Sequence, residues 1–463
     1  MYKKQNNRFS GRTASNTMGN RIGKPLTGGK FHASRKPDLS KEEKDREQNE
    51  AKKAEKPVVR RILSFDDIKA QVSAWMENDR IPGKLQAWYT AEAIPEHSDW
   101  RILKEFRGKQ ELLTIDAPSR DMKPIELVNR VMEQLHKEHL HIFKKALRQI
   151  WFRATGDGRY AILVQVNVKG KISAHGYKTF VSFVERSCPE VISCHQIQCL
   201  PDRLFDPADA QGIKVESKCS YGNDLMPIAG TGFCMHVLDW SPRIKDAWVG
   251  LPLRIKDAIH PNPEDRFFEF CSGPSYVSAS LAPCFKQIEA LDCRESAMQS
   301  SKTNIRNLAT PNMRFHRSHL DASFISKFFS KSDNAEGRWT FYINLNTNDT
   351  INSELVQTLA GSRPERILFQ TGNLETASKA IKAFRNEGYM LRKNIPLYME
   401  PGRGTFEILF LFVPDRVGIL GQNPALAHRS RNIQRPKERL QRANTSEIPH
   451  FVQKTPSFKQ RKG

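Results

Sequence analysis

The second half of the chain alternates short apolar segments with longer segments of helical periodicity. The apolar runs are five to seven residues long, which suits buried strands, and the segments between them repeat apolar residues at helical spacing. Strands that alternate with helices predict an α/β fold with a doubly wound, mainly parallel sheet. We expect this domain to span residues 236–415. Its predicted strands are RFFEF, IEALD, FYINL, RILFQ and EILFLFV, and its predicted helices lie in CSGPSYVSASLA, ESAMQSSKTNIRNL and NLETASKAIKAFRNEG.

Residues 62–235 follow a different pattern, in which strands and helices are not regularly interleaved. Ser64 and Asp67 have the spacing of a capping box, in which each side chain accepts a hydrogen bond from the other residue's backbone N–H. Apolar residues follow at helical spacing, so we expect the folded part to begin near residue 62. The pattern predicts an N-terminal α+β region ahead of the sheet domain.

Two further elements are predicted within this region. Pro124 precedes an amphipathic pattern that favours one long helix to about Leu147, with an apolar stripe that includes Leu127, Val131, Leu135 and Ile142. The triplet Gly156, Asp157 and Gly158 separates two apolar runs, which is typical of a β-hairpin.

Positive charge is concentrated at the two ends of the chain. The 463 residues carry a formal net charge of +22. Residues 1–61 hold 17 basic and 7 acidic residues, and residues 424–463 hold 10 basic and 2 acidic residues. Both segments are rich in polar residues, so we predict disordered basic arms at 1–61 and 416–463. Such arms gain affinity by releasing counterions from a polyphosphate, which makes nucleic acid the expected partner. A solubility tail is the alternative, or a transit peptide for the first 36 residues.

The chain contains no apolar run approaching the ~20 residues that span a bilayer, and its first residues lack the apolar core of a signal peptide. We therefore expect a soluble cytoplasmic protein without a membrane partner.

Eight cysteines are present, but none forms a C-x-x-C pair. A chain of this length needs no disulfide framework, so reduced thiols are expected. Two groups invite comparison with metal sites, but their spacings match no common ligand pattern, and we predict no metal site. The groups are Cys188, Cys194, Cys199 and Cys219 with His195, and the histidines His136, His139 and His141.

The segment from Glu269 to Ser275 has the features of a nucleotide-binding turn. It leaves a predicted strand and enters a predicted helix, where backbone N–H groups can approach a ligand. Asp292 ends the next strand, 19 residues after Gly273, where a carboxylate can accept both hydroxyls of a ribose. The structural alternative is a tight turn at Gly273 and a helix-capping role for Asp292.

Residues 266–413 resemble the catalytic domain of the RNA uracil-C5 methyltransferases, which form 5-methyluridine in tRNA and rRNA. Residues 366–377 (RILFQTGNLETA) and 399–407 (MEPGRGTFE) are similar to two of the family's motifs, and residues 147–168 resemble its central domain. The resemblance implies S-adenosylmethionine as cofactor and RNA as substrate. Matching positions are Glu269, Gly273, Leu281, Ala282, Asp292, Asn304 and Asn312, with Ser275 where a second glycine is expected, and Glu407 at the position of the catalytic base.

Three departures from the family pattern bear on mechanism. Gly372 stands at the position of the cysteine that adds to C6 of uracil. Residues 346–349 (Asn-Thr-Asn-Asp) replace an Asp-Pro-Pro-Arg stretch, and Arg243 falls near a cofactor-contacting glutamine. Replacement of the missing thiol by Cys271, Cys284 or Cys293 is not expected, because attack requires a fixed geometry.

Three functions remain open at this stage. The first is an RNA-binding protein that has lost uracil-C5 chemistry. The second is an active S-adenosylmethionine-dependent RNA methyltransferase whose target atom needs no covalent adduct. The third is a structural ribosome-associated or assembly factor that binds no cofactor. We favour the first, with tRNA or rRNA as the partner.

Overall fold

The structure is a computed structural model, and it describes residues 63–107, 109–119, 122–167, 174–200, 202–207, 214–331, 334, 337–345, 350–401 and 405–415. The predicted basic arms at 1–61 and 416–463 lie outside the described residues, as does the predicted loop change at 346–349.

Strands and helices have the following bounds. The strands are β1 (Tyr89–Thr90), β2 (Trp100–Arg107), β3 (Gln110–Asp116), β4 (Leu147–Ala154), β5 (Tyr160–Val166), β6 (Val191–Leu200), β7 (Lys214–Tyr221), β8 (Leu225–Ile228), β9 (Phe233–His236), β10 (Arg266–Phe270), β11 (Gln287–Asp292), β12 (Met313–Arg317), β13 (Trp339–Asn344), β14 (Arg366–Thr371), β15 (Tyr389–Glu400) and β16 (Thr405–Pro414). The helices are α1 (Phe65–Asn78), α2 (Glu126–Leu135), α3 (His141–Ala146), α4 (Ala174–Ser187), α5 (Lys245–Ile259), α6 (Tyr276–Leu281), α7 (Glu295–Asn307), α8 (Ala322–Phe329), α9 (Ser353–Gly361) and α10 (Leu374–Asn386).

An eight-stranded sheet organises the second half of the chain, in the order β1-β15-β16-β14-β13-β10-β11-β12. All pairs from β14 to β12 are parallel, and β16 is inserted antiparallel between β14 and β15. From β10 the chain moves first to β11 on one side and later to β13 on the other, so the strand order reverses at β10. The prediction of a doubly wound, mainly parallel sheet is confirmed, and ligands bind at such reversal points.

Besides the short β1, two strands of this sheet were not predicted from the sequence. β12 is short and carries charged residues. β15 contains Pro396, which is unusual inside a sheet because proline cannot donate a ladder hydrogen bond. The structure accommodates this strand beside β16 with two irregularities in register, between Leu391 and Lys393 and between Leu397 and Glu400.

Helices cover both faces of this sheet, which is why its strands are apolar on both sides. Phe267 of β10 packs in the cluster that α5 and α6 cover, whereas Phe268 and Phe270 pack in the cluster that α1, α8, α9 and α10 cover. None of the helices among the described residues has the length and apolarity that a membrane span requires.

Residues 100–221 form most of a second, six-stranded sheet with the order β3-β2-β4-β5-β6-β7. The predicted hairpin is present, since β4 and β5 pair antiparallel and the connecting Gly156 and Gly158 have φ of 90° and 80°. A second core of buried apolar residues lies between this sheet and helices α2, α3 and α4.

The prediction of one long helix from Pro124 to Leu147 was wrong. Helix α2 ends at Leu135, a 3-10 turn covers Glu138–Leu140, and α3 runs only to Ala146 before Leu147 begins a strand. The break shifts the apolar face by one residue, so that Phe143 is fully buried and Ile142 is 49% exposed.

Helix α1 packs against the eight-stranded sheet, although most strands of that sheet lie far from it in sequence. The predicted capping box is present, with the Asp67 N–H donating to Ser64 Oγ and the Ser64 N–H donating to the Asp67 carboxylate, both at 3.1 Å. Ile68 and Val72 are buried in the same core as Phe268. β1 also pairs with β15, so both elements extend the sheet domain beyond the predicted residues 236–415.

Candidate functional site

A cavity of about 630 Å³ lies where strands β10, β11 and β13 end at the reversal point of the sheet. Its walls come from the loops that follow these strands and from α5 and α6. The residues that matter for its chemistry are Glu269, Cys271, Gly273, Asp292, Arg294 and Asn344. The sequence-predicted turn and the acidic residue after the second strand therefore share one cavity. Small-molecule sites have volumes of roughly 300 to 1,000 Å³.

The turn after β10 is held in an unusual backbone conformation. Cys271, Gly273 and Ser275 have φ of 56°, 54° and 61°, in the left-handed region that favours glycine. A Cβ at Gly273 would lie 3.2 Å from Nη2 of Arg294, so a larger residue would also press against that guanidinium. The glycine is required here for both its backbone conformation and its small size.

Ser275 stabilises this turn through its side chain. Its hydroxyl is 3.0 Å from that of Ser272 and 2.8 Å from that of Ser301 on α7. The side chain is fully buried and is not among the residues that line the cavity. Its predicted role as a cofactor ligand stays a prediction, and its described contacts are structural.

Asp292 is a buried carboxylate whose oxygens are occupied by neighbouring donors. Oδ2 accepts a hydrogen bond from the Gly273 N–H at 2.9 Å, and Oδ1 accepts one from the Arg294 N–H at 2.9 Å. The Arg294 guanidinium adds two further bonds at 3.0 and 3.1 Å. Burial alone would raise the pKa of Asp292, but Arg294 and the two amides hold it below its usual value. The residue is therefore ionised at neutral pH.

Glu269 lies on the same wall, and its buried carboxyl group supports α6. Oε2 accepts a hydrogen bond from the Ser278 N–H in the first turn of that helix, at 2.9 Å. Burial raises the pKa of Glu269 to about 8, with a smaller contribution from the negative charge of Asp292. At neutral pH this side chain is largely protonated, which makes it a potential donor toward the cavity.

A second candidate group lies at the ends of β14 and β16. The antiparallel register pairs Thr371 with Ile408, and Gly372 and Glu407 are the residues next to that pair on the two chains. The amide of Gln370 donates a short hydrogen bond to the Glu407 carboxylate, and Tyr342 donates to Oε1 of Gln370 at 2.9 Å. Burial raises the pKa of Glu407 to about 7. The contacts of Tyr342 and Gln370 have no counterpart among the residues singled out in the sequence.

The backbone next to Gly372 is also organised by a side chain. Asn373 caps helix α10 by accepting a hydrogen bond from the Thr376 N–H at 3.0 Å. Among the described residues, neither Gly372 nor Glu407 lines the cavity near Asp292. Residues 346–349 and 402–404 are outside the described part of the chain.

The three cysteines considered as replacements for a nucleophile lie elsewhere. Cys271 and Cys293 line the cavity beside the turn and Asp292, and Cys284 lies in the 3-10 turn Ala282–Cys284 that follows α6. Burial raises the pKa of Cys293, which lowers its thiolate population.

Three further residues singled out in the sequence have structural contacts. Arg243 is buried, donates to the carbonyl oxygens of Asp99 and Asp116, and does not line the cavity. Asn304 exchanges two hydrogen bonds with the backbone of Cys234, and Asn312 donates to two carbonyl oxygens after α6. Arg294 was not identified from the sequence. The only feature that could have indicated its role is its position two residues after Asp292.

Comparison with solved structures identifies the fold. The chain is similar to a tRNA (uracil-54, C5)-methyltransferase from Pyrococcus abyssi, solved in complex with S-adenosyl-L-homocysteine. The TM-score is 0.52 at 13% sequence identity, covering 75% of this chain and 83% of that one. TYW2 from P. horikoshii in complex with MeSAdo matches with a TM-score of 0.38 at 14% identity, covering 62% of this chain and 99% of that one. No protein-family profile and no curated protein sequence matches the chain. The chain therefore has a methyltransferase-like α/β fold.

Proposed function

We propose that this chain is an RNA-binding protein built on an S-adenosylmethionine-dependent methyltransferase fold, and that it does not methylate C5 of uracil. The observation that carries the proposal is the register of β14 and β16, in which Thr371 pairs with Ile408 and Gly372 and Glu407 are the next residues beyond that pair. The position resembling the family's base is occupied by a carboxyl group with a pKa of about 7, while the position resembling its nucleophile has no side chain.

The missing thiol matters because of the chemistry of the uracil ring. C5 is a weak nucleophile until a thiolate adds to C6 and places electron density on C5. C5 then takes the methyl group, a base removes the C5 proton, and the thiolate leaves. Glu407 has a pKa suited to that proton transfer. Without an adduct at C6, however, C5 has no acidic proton to lose.

The cavity beside Gly273 and Asp292 supports the binding of S-adenosylmethionine. It lies at the reversal point of the sheet, where doubly wound folds bind nucleotides. An ionised aspartate at the end of β11 suits two ribose hydroxyls. That role requires Asp292 to exchange its Arg294 contacts for the ligand, which reduces the apparent affinity.

RNA binding rests on the charge distribution. The two basic arms supply sequence-independent affinity for phosphates, and the folded domains supply the recognition of shape or of an exposed base. The similarity to a tRNA methyltransferase favours tRNA, although rRNA has the same backbone chemistry.

A second candidate function is methylation of an RNA nitrogen or ribose oxygen. The pKa of about 7 at Glu407 favours it, because a carboxyl group half ionised near neutrality can take a proton from such a nucleophile. This chemistry needs no covalent adduct, so Gly372 does not prevent it.

Two measurements on the full chain test the proposal. Calorimetry with S-adenosyl-L-homocysteine should show binding by the wild type, loss of at least tenfold in affinity for Asp292→Ala, and no change for the exposed control Glu387→Gln. Incubation with labelled S-adenosylmethionine and tRNA, followed by nucleoside analysis, should yield no 5-methyluridine. A labelled nucleoside of another kind would establish the second candidate. Formation of 5-methyluridine by the wild type would overturn the proposal. Absence of ligand binding would favour instead the third function, an assembly factor that binds no cofactor.

A further inference from the structure

Three side chains with metal-binding atoms meet at one edge of the six-stranded sheet. His195, Cys219 and Asp224 each place one ligand atom within 4.8 Å of the other two. Oδ1 of Asp224 lies 3.4 Å from Nδ1 of His195. This cluster is separate from the cavity at Asp292 and from the residues Gly372 and Glu407. Neither of the two candidate functions uses it.

The buried histidine is the residue of this cluster that most favours a bound metal ion. His195 is fully buried beside the Asp224 carboxylate and the Asn223 backbone, yet neither ring nitrogen meets the distance and angle limits of a full hydrogen bond among the described residues. A buried polar group without a partner costs free energy, and such groups are rare in native structures. A neutral imidazole has a lone pair that can bind a metal ion.

The fold brings the three residues together through strand pairing and one tight turn. His195 on β6 is paired directly with Cys219 on β7. After β7 the chain reverses at Gly222, which has φ of 80°, and Asp224 follows. A Cβ at Gly222 would lie 2.3 Å from the carbonyl oxygen of Ile192, so only glycine permits this approach.

The geometry is close to that of a bound ion. Zinc with bonds of about 2.0 to 2.3 Å holds neighbouring tetrahedral ligand atoms roughly 3.3 to 3.7 Å apart. The distance of 3.4 Å between His195 and Asp224 already lies in that range. Cys219 is exposed and the Asp224 side chain is 53% exposed, so both can adjust by side-chain rotation.

We propose that His195, Cys219 and Asp224 bind one zinc ion, with its fourth coordination position open to solvent. A neutral imidazole, a thiolate and a carboxylate form a mixed nitrogen, sulfur and oxygen set of the kind zinc accepts, and their two negative charges balance the ion. In the structure the Cys219 thiol donates to the carbonyl oxygen of Tyr221 at 3.3 Å. Binding replaces its S–H bond with an S–Zn bond and releases the proton to solvent.

The sequence did not indicate this site because its ligands do not follow a familiar spacing. His195 and Cys219 belong to the cysteine and histidine group for which the sequence predicted no metal site. The other members of that group, Cys188, Cys194 and Cys199, are buried and are not part of the cluster. Asp224 takes their place, and it lies near the others only because β6 and β7 pair in this register.

Metal content and cobalt spectroscopy on the full chain test the site. After incubation with zinc and dialysis, elemental analysis should find one zinc per wild-type chain. Substitution with Co²⁺ should produce a thiolate-to-metal charge-transfer band in the near ultraviolet. Cys219→Ser should abolish that band, and Asp224→Asn should weaken zinc binding at least tenfold.

Both variants change exposed side chains, so they are expected to fold. Cys284→Ser removes a thiol away from the cluster and should retain the full zinc content and the cobalt band. Zinc should raise the unfolding temperature of the wild type and of Cys284→Ser, but not that of Cys219→Ser. A wild type that retains no zinc, or a Cys219→Ser variant that retains it with unchanged affinity, would overturn the proposal.

Discussion

Asp292 and Arg294 form a two-point ion pair at the mouth of the cavity, with Oδ1 of the carboxylate 3.0 Å from Nε and Oδ2 3.1 Å from Nη2. Oδ2 also accepts the Gly273 N–H. A ligand that uses Asp292 must therefore displace the guanidinium. The pair makes Arg294 a determinant of how strongly this cavity binds a nucleoside.

Replacing Arg294 should strengthen ligand binding. Arg294→Ala removes the competing cation, so the affinity for S-adenosyl-L-homocysteine is expected to rise about five- to tenfold. Calorimetry on the variant and on Arg317→Ala, which removes a nearby exposed arginine, measures the effect. Weaker binding by Arg294→Ala would mean that the guanidinium contacts the ligand or orients Asp292.

Glu269 should make stability depend on pH. Its pKa of about 8 in the folded state exceeds its ordinary value of 4.5, so the folded state holds a proton that the unfolded state has lost between these values. The stabilisation is complete below about pH 4.5 and is lost as the pH rises to about 8.

Glu269→Gln keeps the acceptor for Ser278 and has no charge to bury. Urea unfolding near about pH 5 and about pH 9 should show a smaller loss of stability in Glu269→Gln than in the wild type, by on the order of a few kcal/mol. Glu387→Gln, at an exposed position, should keep the wild-type dependence. If the wild type and Glu269→Gln lost the same stability between the two pH values, the raised pKa of Glu269 would be contradicted.

A cysteine at position 372 should restore the missing nucleophile. The φ of Gly372 is outside the left-handed region, so a side chain meets no backbone strain there. Gly372→Cys places a thiol opposite Glu407, and 5-methyluridine is expected in tRNA at a level at least about tenfold above that of Gly372→Ser. Nucleoside analysis measures it. The gain should disappear in the double variant Gly372→Cys with Glu407→Gln, and a gain that persists there would exclude Glu407 as the base.

Deleting the basic arms should weaken RNA binding and flatten its dependence on salt. Each phosphate contact contributes about 0.7 to 0.9 to the slope of log affinity against log salt. Variants that lack residues 1–61 or 424–463 should both show a smaller slope when tRNA binding is titrated over a range of salt concentrations. Slopes equal to that of the full chain would show that the arms do not contact the RNA.

Patterns local to the chain were sufficient for much of the fold and for part of the site. Strands β10, β11, β13, β14 and β16 and helices α7 and α10 follow from apolar runs and helical periodicity, which reflect burial on both faces of the sheet. Gly273 and Asp292 were found by their spacing, and both line the cavity. The helix predicted from Pro124 to Leu147 failed, because periodicity alone does not reveal a break after Leu135.

The order of residues thus specifies which segments become strands, which turn requires glycine, and that position 372 carries no thiol. It does not specify which distant strands pair, or in what register, because that pairing is decided by the packing of the whole sheet. Only the folded chain brings Gly372 and Glu407 to the adjoining ends of β14 and β16, directs Arg294 onto Asp292, and brings His195 beside Cys219 and Asp224. Each of these relationships depends on side-chain direction or strand register, which have no local signature in the sequence.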